Sequence, residues 1–415
     1  MTTPVQQENS YLIKLWNQLT ESLSIPDYRY LWFNSILGSA RLIAIFVVRG
    51  WLVLTLTDSA FWVGAAPAMR GITQILLGSF IGVLLDRVNR KWALLIAEVG
   101  SSLTAVVIGF LILSGQIELW HVLVVSVVEG VFISVRWPAI NTMILQAVGT
   151  KRVLNASAAQ MLGFNMGNVA ASAVTGWLIV QFGMEYGYFF AAGMGLLAAA
   201  AVFFVSGDFS PKPSLGESVM QSLTAGLSYI RGQSILAWLI VLGFLMSLLG
   251  WSNLTMMPVM ARDILGVGAD GLGYLTAAGA IGSLISTIFI ASLGDFENKG
   301  MLIKTAGVCT TLGIFMFAFS PIYALSLVLV AFMQGALMAF EVSLTAMVLL
   351  LTAEEMQGRV QGIYTQVFGF TWVGGVVLGS IATFTGAPVA IAVGGLGIML
   401  AIALLWGRLG QISGQ

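Results

Sequence analysis

What the chain has little of sets the first limits. One cysteine, Cys309, excludes an internal disulfide, and with one histidine, His121, it leaves no metal-ligand cluster of the Cys/His kind. Charged residues make up only 9% of 415 positions, against a hydrophobic fraction of 58% and a mean hydropathy of +0.94. A soluble domain of this size needs far more charge to cover its surface. No GxxxxGKS/T loop is present to hold a nucleotide, and no nucleophile-base set is visible, so neither a cofactor nor enzyme activity is expected. The 18 basic and 18 acidic residues cancel, and no nucleic-acid partner is expected. The first 25 residues are polar and lack a short apolar core with a small-residue cleavage site, so no cleavable leader is expected either.

What the chain does have is apolar runs of roughly 20 residues or more, the length a bilayer requires. They fall near 30–56, 60–84, 92–113, 119–147, 154–181 and 184–206, then near 234–260, 270–293, 301–320, 322–351, 360–383 and 388–406. This predicts an all-α polytopic membrane protein with twelve transmembrane helices, six plus six. A cytoplasmic amphipathic segment over 1–28, with Leu12, Leu15, Trp16, Leu19 and Leu23 on one stripe, precedes a bundle over 29–206. A central loop over 207–233 carries a second stripe, Leu215, Val219, Leu223, Leu227 and Ile230; a second bundle over 234–408 and a tail over 409–415 follow. Basic residues are retained on the cytoplasmic side. With both termini inside, thirteen of the eighteen are cytoplasmic: Lys14, Arg29, Arg87, Arg90, Lys91, Lys151, Arg152, Lys212, Arg231, Lys299, Lys304, Arg359 and Arg408. Arg262 alone falls outside. Trp32, Trp62 and Trp120 read as interfacial belt residues, and His121 beside them as a surface residue.

Seven charges lie inside the spans: Arg41, Arg49, Arg70, Glu98, Glu129, Arg136 and Glu341. Facing lipid at the bilayer centre, each would cost roughly 2.5 to 3.5 kcal/mol, together on the order of 20 kcal/mol. That exceeds the ~5 to 15 kcal/mol by which folded domains are usually stable. Most must therefore face a wet path or an opposite charge. Glu129 and Arg136 share one helix face in the fourth span. About 205 positions later Gln334 stands where Glu129 does and Glu341 where Arg136 does, so two repeats would place an arginine and a glutamate across one cavity. Glu98, two turns into the third span, is expected to partner the cytoplasmic basic loop.

That loop reads Gly82-Val-Leu-Leu-Asp86-Arg87-Val-Asn-Arg90-Lys91. Gly82 would let two helices approach, and Asp86 at a helix N-terminus with basic partners would latch one conformation at the cytoplasmic face. The loop resembles the GxxxDRxxRR/K signature of the major facilitator superfamily. Over nearly the whole length the chain resembles that superfamily's twelve-span drug:proton antiporter branch, which holds macrolide efflux pumps and the enterobactin exporter. The resemblance rests on Trp51-Leu-Val-Leu-Thr-Leu-Thr57-Asp-Ser59-Ala60 with Val63-Gly64, on the basic loop, on Asn155-Ala156, and on Glu355-Met-Gln-Gly358-Arg359-Val360-Gln-Gly362. Gly163, Gly167, Ala171 and Thr175 form a small-residue ladder in the fifth span.

The resemblance implies the major facilitator fold, two six-helix bundles with spans one, four, seven and ten around a cavity. Arg41, Arg49, Glu129, Arg136 and Glu341 then belong to cavity helices. Glu129 is the expected proton carrier, and Arg136 with Glu341 an inter-bundle pair that forms and breaks. Phe132, Trp137, Trp251, Met256, Met257, Phe340, Tyr364 and Trp372 would supply a soft apolar lining for varied hydrophobic shapes. The expected function is a proton-coupled exporter of an amphipathic drug or siderophore, a monomer in the bacterial inner membrane. An organic-anion uptake carrier or uniporter is the alternative, motivated by four arginines against three glutamates in the spans. A lipid flippase or a transport-inactive receptor is the reading of another class. The expected partners are a small-molecule substrate, protons and the lipid bilayer.

Overall fold

The computed structural model describes residues 22–85, 87–149, 152–210, 219–293 and 298–411. Twelve long helical segments account for nearly all of them. The first six are α1 (Pro26–Thr57), α2 (Ala60–Leu85), α3 (Arg90–Leu113), α4 (Leu119–Val148), α5 (Val153–Phe182) and α6 (Met184–Phe203). The helix Val219–Gly232 links them to the second six. These are α7 (Ser234–Ile264), α8 (Ala269–Ser292), α9 (Lys299–Ala318), α10 (Tyr323–Leu350), α11 (Glu354–Val367, resuming as Phe370–Thr385) and α12 (Ala387–Gln411). In lipid each backbone polar group must be satisfied within the segment, which is why runs this apolar become helices.

The surface confirms the solvent these helices are built for. Large apolar side chains such as Phe80, Ile96, Phe110, Phe384 and Leu404 point outward, while Arg41, Glu98, Glu129 and Arg136 are buried. A water-soluble core has the opposite pattern. Helix ends follow local chemistry. Pro26 opens α1, Asn89 caps α3 by accepting from the Lys91 N–H, and Glu118 with His121 closes a capping box on α4. Asp58 ends α1 in the left-handed region at φ 48°, a conformation aspartate tolerates better than most residues.

Within the first half α1 packs on α5 and α6, α3 on α4 and α6, and α2 on α4. The second half repeats the arrangement one repeat later: α8 on α10, α9 on α10 and α12, and α11 on α12 and α7. Two seams join the halves, α2 against α11 and α5 against α8, and exchanging the repeats maps one seam onto the other. Both seams are tight toward the face opposite the termini. A Cβ on Gly64 would fall 2.6 Å from the Gly375 carbonyl carbon, and one on Gly176 would fall 2.6 Å from the Ala269 oxygen. Gly71 approaches Trp372 and the Gly369 oxygen in the same way. Arg262 then ties α7 to the end of α1, donating to the Leu54 carbonyl at 3.3 Å and to the Asp58 carboxylate. Toward the terminal face α2 and α11 lack such contacts, since a Cβ on Gly78, Gly82, Gly358 or Gly362 would meet no heavy atom within 4 Å. The α2–α11 seam is therefore tight at the far face and looser toward the termini.

Several sequence expectations need correction. Gly82 makes no close helix contact. Trp32 donates its indole N–H to the Ala159 carbonyl at 2.7 Å and packs on Gly163 of α5. The small-residue ladder does act as expected, because Gly163 and Gly167 admit Trp32, Ile36 and Ser39 of α1. Leu12 to Leu19, Leu215 and Asp86 lie outside the described residues. The linker helix packs Gly226 against Ile363 and Arg359 of α11, while Leu227 on its stripe is exposed.

The ladder gives a matched test. Gly167→Leu would drive a side chain into Ser39 and the Ile36 carbonyl, and overpacking of this kind costs about 1–3 kcal/mol. Gly78→Leu fills open space. Thermal unfolding in detergent should show a lower Tm for the first and an unchanged Tm for the second.

Candidate functional site

The intramembrane charges sort into a closed network in the first half and a separate carboxyl in the second. On α1, Arg41 reaches two acids: its Nη1 donates to Glu129 Oε2 at 3.3 Å and its Nε stands 3.5 Å from Glu98 Oε2. Arg136, two turns along α4 from Glu129, donates from Nε to Glu98 Oε1 at 2.8 Å. Asn34 Nδ2 donates to the same oxygen and to the Ala198 carbonyl of α6, both at 3.1 Å. Thr104 of α3 donates to Glu129 Oε1 at 2.8 Å. Two arginines and two glutamates thus neutralise one another across α1, α3 and α4.

Backbone gaps make room for this cluster. A Cβ on Gly38 would fall 2.8 Å from the Arg136 guanidinium carbon, and one on Gly195 would fall 2.5 Å from Arg41 Cδ. Asn34, Thr104, Gly38 and Gly195 escaped sequence reasoning because polar and small residues are common in membrane helices, and only their placement beside charges marks them. Glu98 is a correction. It does not partner the basic loop but sits fully buried between Arg41 and Arg136. The loop is held instead by Lys91, which donates to the Val205 carbonyl at 2.6 Å, and by Asn89, which donates to Ser210 at 3.1 Å; Arg87 is exposed and Arg90 buried.

Glu341 of α10 has different company. The Tyr364 hydroxyl of α11 donates to its Oε1, and Trp251 and Thr345 flank the carboxyl. Its Oε2 and the Trp251 indole nitrogen make no hydrogen bond, and no described arginine or lysine forms an ion pair with it. The expected Arg136–Glu341 pair is not formed here, because Arg136 is committed to Glu98 and to the Asn34 carbonyl at 3.4 Å. The backbone beside Glu341 is irregular: α7 passes from α-helix into a π turn at Met246–Gly250 and a 3₁₀ segment at Trp251–Met256. Departures of this kind inside a membrane helix often mark functional sites.

Of the expected lining residues the structure places four at charges: Trp251 and Tyr364 at Glu341, Trp372 under the Arg70 guanidinium, 4.2 Å from ring centre to Cζ, and Trp137 beside the Arg136 guanidinium. Others among the expected lining residues pack closely against neighbouring side chains. Phe132 fills the notch at Gly100 of α3, and Phe340 is fully buried toward Gly307 of α9. Trp137 lies 5.5 Å from Phe164 and 5.3 Å from the Arg136 guanidinium, and Met256 and Met257 are buried in the core. Arg49, on the same helix as Arg41, donates from Nη1 to the Ser126 hydroxyl at 3.4 Å.

This architecture and its comparisons agree. The chain belongs to the Major Facilitator Superfamily of transporters, matching the family pattern over residues 31–373. The enterobactin exporter EntS of Escherichia coli strain SE11 is 23% identical over 352 residues, 84% of either chain, as is the EntS of Shigella boydii serotype 18. Among solved structures, the nucleoside transporter NupG superposes with a TM-score of 0.72 at 16% identity, covering 91% of this chain and 98% of that one. A bacterial homologue of the human lysosomal transporter Spinster, inward-facing and occupied, gives 0.69 at 13% identity, covering 93% and 95%. At such identities the structures share the fold.

Glu98→Gln tests the closed network. It leaves Arg41 and Arg136 with one carboxylate between them, and breaking a buried pair this way costs about 3–5 kcal/mol. The purified variant should melt well below the parent, and an unchanged melting curve would remove Glu98 from the structural role.

Proposed function

We propose that the protein is a secondary active transporter that exports an amphipathic small molecule in exchange for protons. Residues 29–206 and 234–408 would be the two rocking units, with the terminal face in the cytoplasm and the membrane that of a bacterial inner membrane. The observation that carries the coupling step is the company Glu341 keeps. A buried carboxylate without a cation bears a desolvation penalty that a proton removes, whereas one beside an arginine does not. Glu129, paired with Arg41 and bonded by Thr104, is already compensated. This favours Glu341 over Glu129 as the proton-binding group, with Tyr364 as its positioning partner and the irregular turn of α7 as the part that moves beside it. Buried among α7, α10 and α11, the group can change its exposure when the bundles rock.

The far-face seal and the separated terminal halves of α2 and α11 fit one end state of alternating access. Kinship with proteins named as enterobactin exporters supports the outward direction. Energetics allow it: one proton crossing ~100 mV releases roughly 2.3 kcal/mol, enough for about a fifty-fold solute gradient.

In everted vesicles carrying an internal pH dye, candidate drugs and siderophores should release protons through the parent protein. Glu341→Gln, which keeps an acceptor for Tyr364, should abolish that release. Undiminished proton release from this variant would remove Glu341 from the coupling step. The seal has its own test. In a Cys309→Ser background with spin labels at positions 57 and 265, Arg262→Ala should add a longer-distance population that the parent lacks, and an unchanged distribution would argue against Arg262 as a latch.

A further inference from the structure

Both halves put a lysine against an exposed aromatic ring where an outer pair of helices reaches the terminal face. In the first half the pair is α3 and α6. Lys91, in the first turn of α3, stands 5.8 Å from the ring centre of Trp92 and 5.8 Å from that of Phe203 at the end of α6. In the second half the pair is α9 and α12, the counterparts six helices later, and Lys304 of α9 lies 4.9 Å from the ring centre of Trp406 of α12. All four helices pack within their own halves, so their outer faces meet lipid. Trp92, Phe203 and Trp406 are exposed there. Phe204 and Tyr30, also exposed, extend the first site, with rings 5.8 Å from Phe203 to Phe204 and 5.9 Å from Phe204 to Tyr30.

The two cations lack a counter-charge from the protein. Neither lysine forms an ion pair among the described residues. An ammonium carries three N–H donors, and Lys91 uses one on the Val205 carbonyl at 2.6 Å. The acids of the adjoining turn are engaged: Asp27 accepts from the Ser206 and Gly207 N–H groups, and Asp208 accepts from the Ser210 N–H. Long basic side chains keep their stems in apolar surroundings and their heads at the membrane interface, the level at which tryptophan and tyrosine also settle. The leaflet supplies at that level what each lysine lacks, a phosphate oxygen, on a molecule whose acyl chains cover the exposed rings. An acidic head group suits the site better than a zwitterionic one, because the latter brings a cation of its own. Recurrence of the lysine and ring in both repeats sets the pairing apart from scattered belt residues.

We propose that each of these helix pairs holds one acidic phospholipid in the leaflet on the terminal side, with Lys91 and Lys304 on the phosphates. Trp92 and Phe203 in the first site, and Trp406 in the second, lie against the glycerol and the upper acyl chains. The proposal needs only the membrane setting of the chain and stands whatever solute is carried and in whichever direction.

Native mass spectrometry of the full chain in detergent, with phosphatidylglycerol and phosphatidylcholine of matched acyl chains added in turn, tests it. The parent should retain two phosphatidylglycerol molecules, each about fivefold more tightly than phosphatidylcholine, the factor that one basic residue near a charged leaflet contributes. Lys91→Gln and Lys304→Gln should each lose one of the two, and the double variant both. Lys91→Arg and Lys304→Arg should keep them. Equal retention of the two lipids, or a preference that survives the double substitution, would overturn the assignment. In phosphatidylcholine alone Lys304→Gln should melt with the parent; a lower Tm there would mark the lysine as structural and overturn the second site. Release of bound phosphatidylglycerol by excess glycerol 1-phosphate would mark a site for soluble anions and overturn the lipid assignment as a whole.

Discussion

Compensation of charge inside a medium that cannot solvate it governs this structure. Hydrocarbon offers an ionised side chain neither water nor mobile counter-ions, so each such group needs a fixed opposite charge, a wet path or a proton. The first six helices answer with a neutral cluster in which α1, α3 and α4 are tied together through Arg41, Glu98, Glu129 and Arg136. Buried pairs of this kind stabilise little in themselves, yet losing one member is costly. They therefore fix how these helices stand relative to one another more than they add to the total stability.

The second half solves the same problem differently, and the proposed coupling step rests on that asymmetry. Its intramembrane carboxyl, Glu341, is bonded by a phenol and flanked by an indole, with no ion pair among the described residues. The first half keeps two arginines beyond what its glutamates neutralise. In the proposed function it is the carboxyl of the second half that a proton completes. Glu341 lies beside the irregular backbone of α7.

Close backbone approach is the second constraint. Without a hydrophobic force between helices in lipid, association depends on van der Waals contact, and glycine permits it. Gly64, Gly71, Gly176, Gly273 and Gly375 knit the two halves at the far face, whereas Gly78, Gly82, Gly358 and Gly362 toward the terminal face lie in open space. The same residue type therefore marks a closed seam at one end and leaves it free to close at the other. Arg262 and Asp58 add a charged clasp where the surroundings become aqueous.

The amino-acid sequence by itself determined the class, the twelve spans, nearly all their limits and the list of buried charges, because apolar run length and the penalty on intramembrane charge are local properties of the chain. Each of the twelve expected spans has its helix, and most ends agree within a few residues. Partner choice was different. Glu98 pairs with Arg136 rather than with the basic loop, Glu341 meets Tyr364 rather than Arg136, and Phe132 finds its notch at Gly100 of α3. Those outcomes depend on rotation of each helix about its axis and on depth relative to helices more than a hundred residues distant. Periodicity within a span gives the face a residue occupies but not the neighbour that face meets, and only tertiary packing decides that.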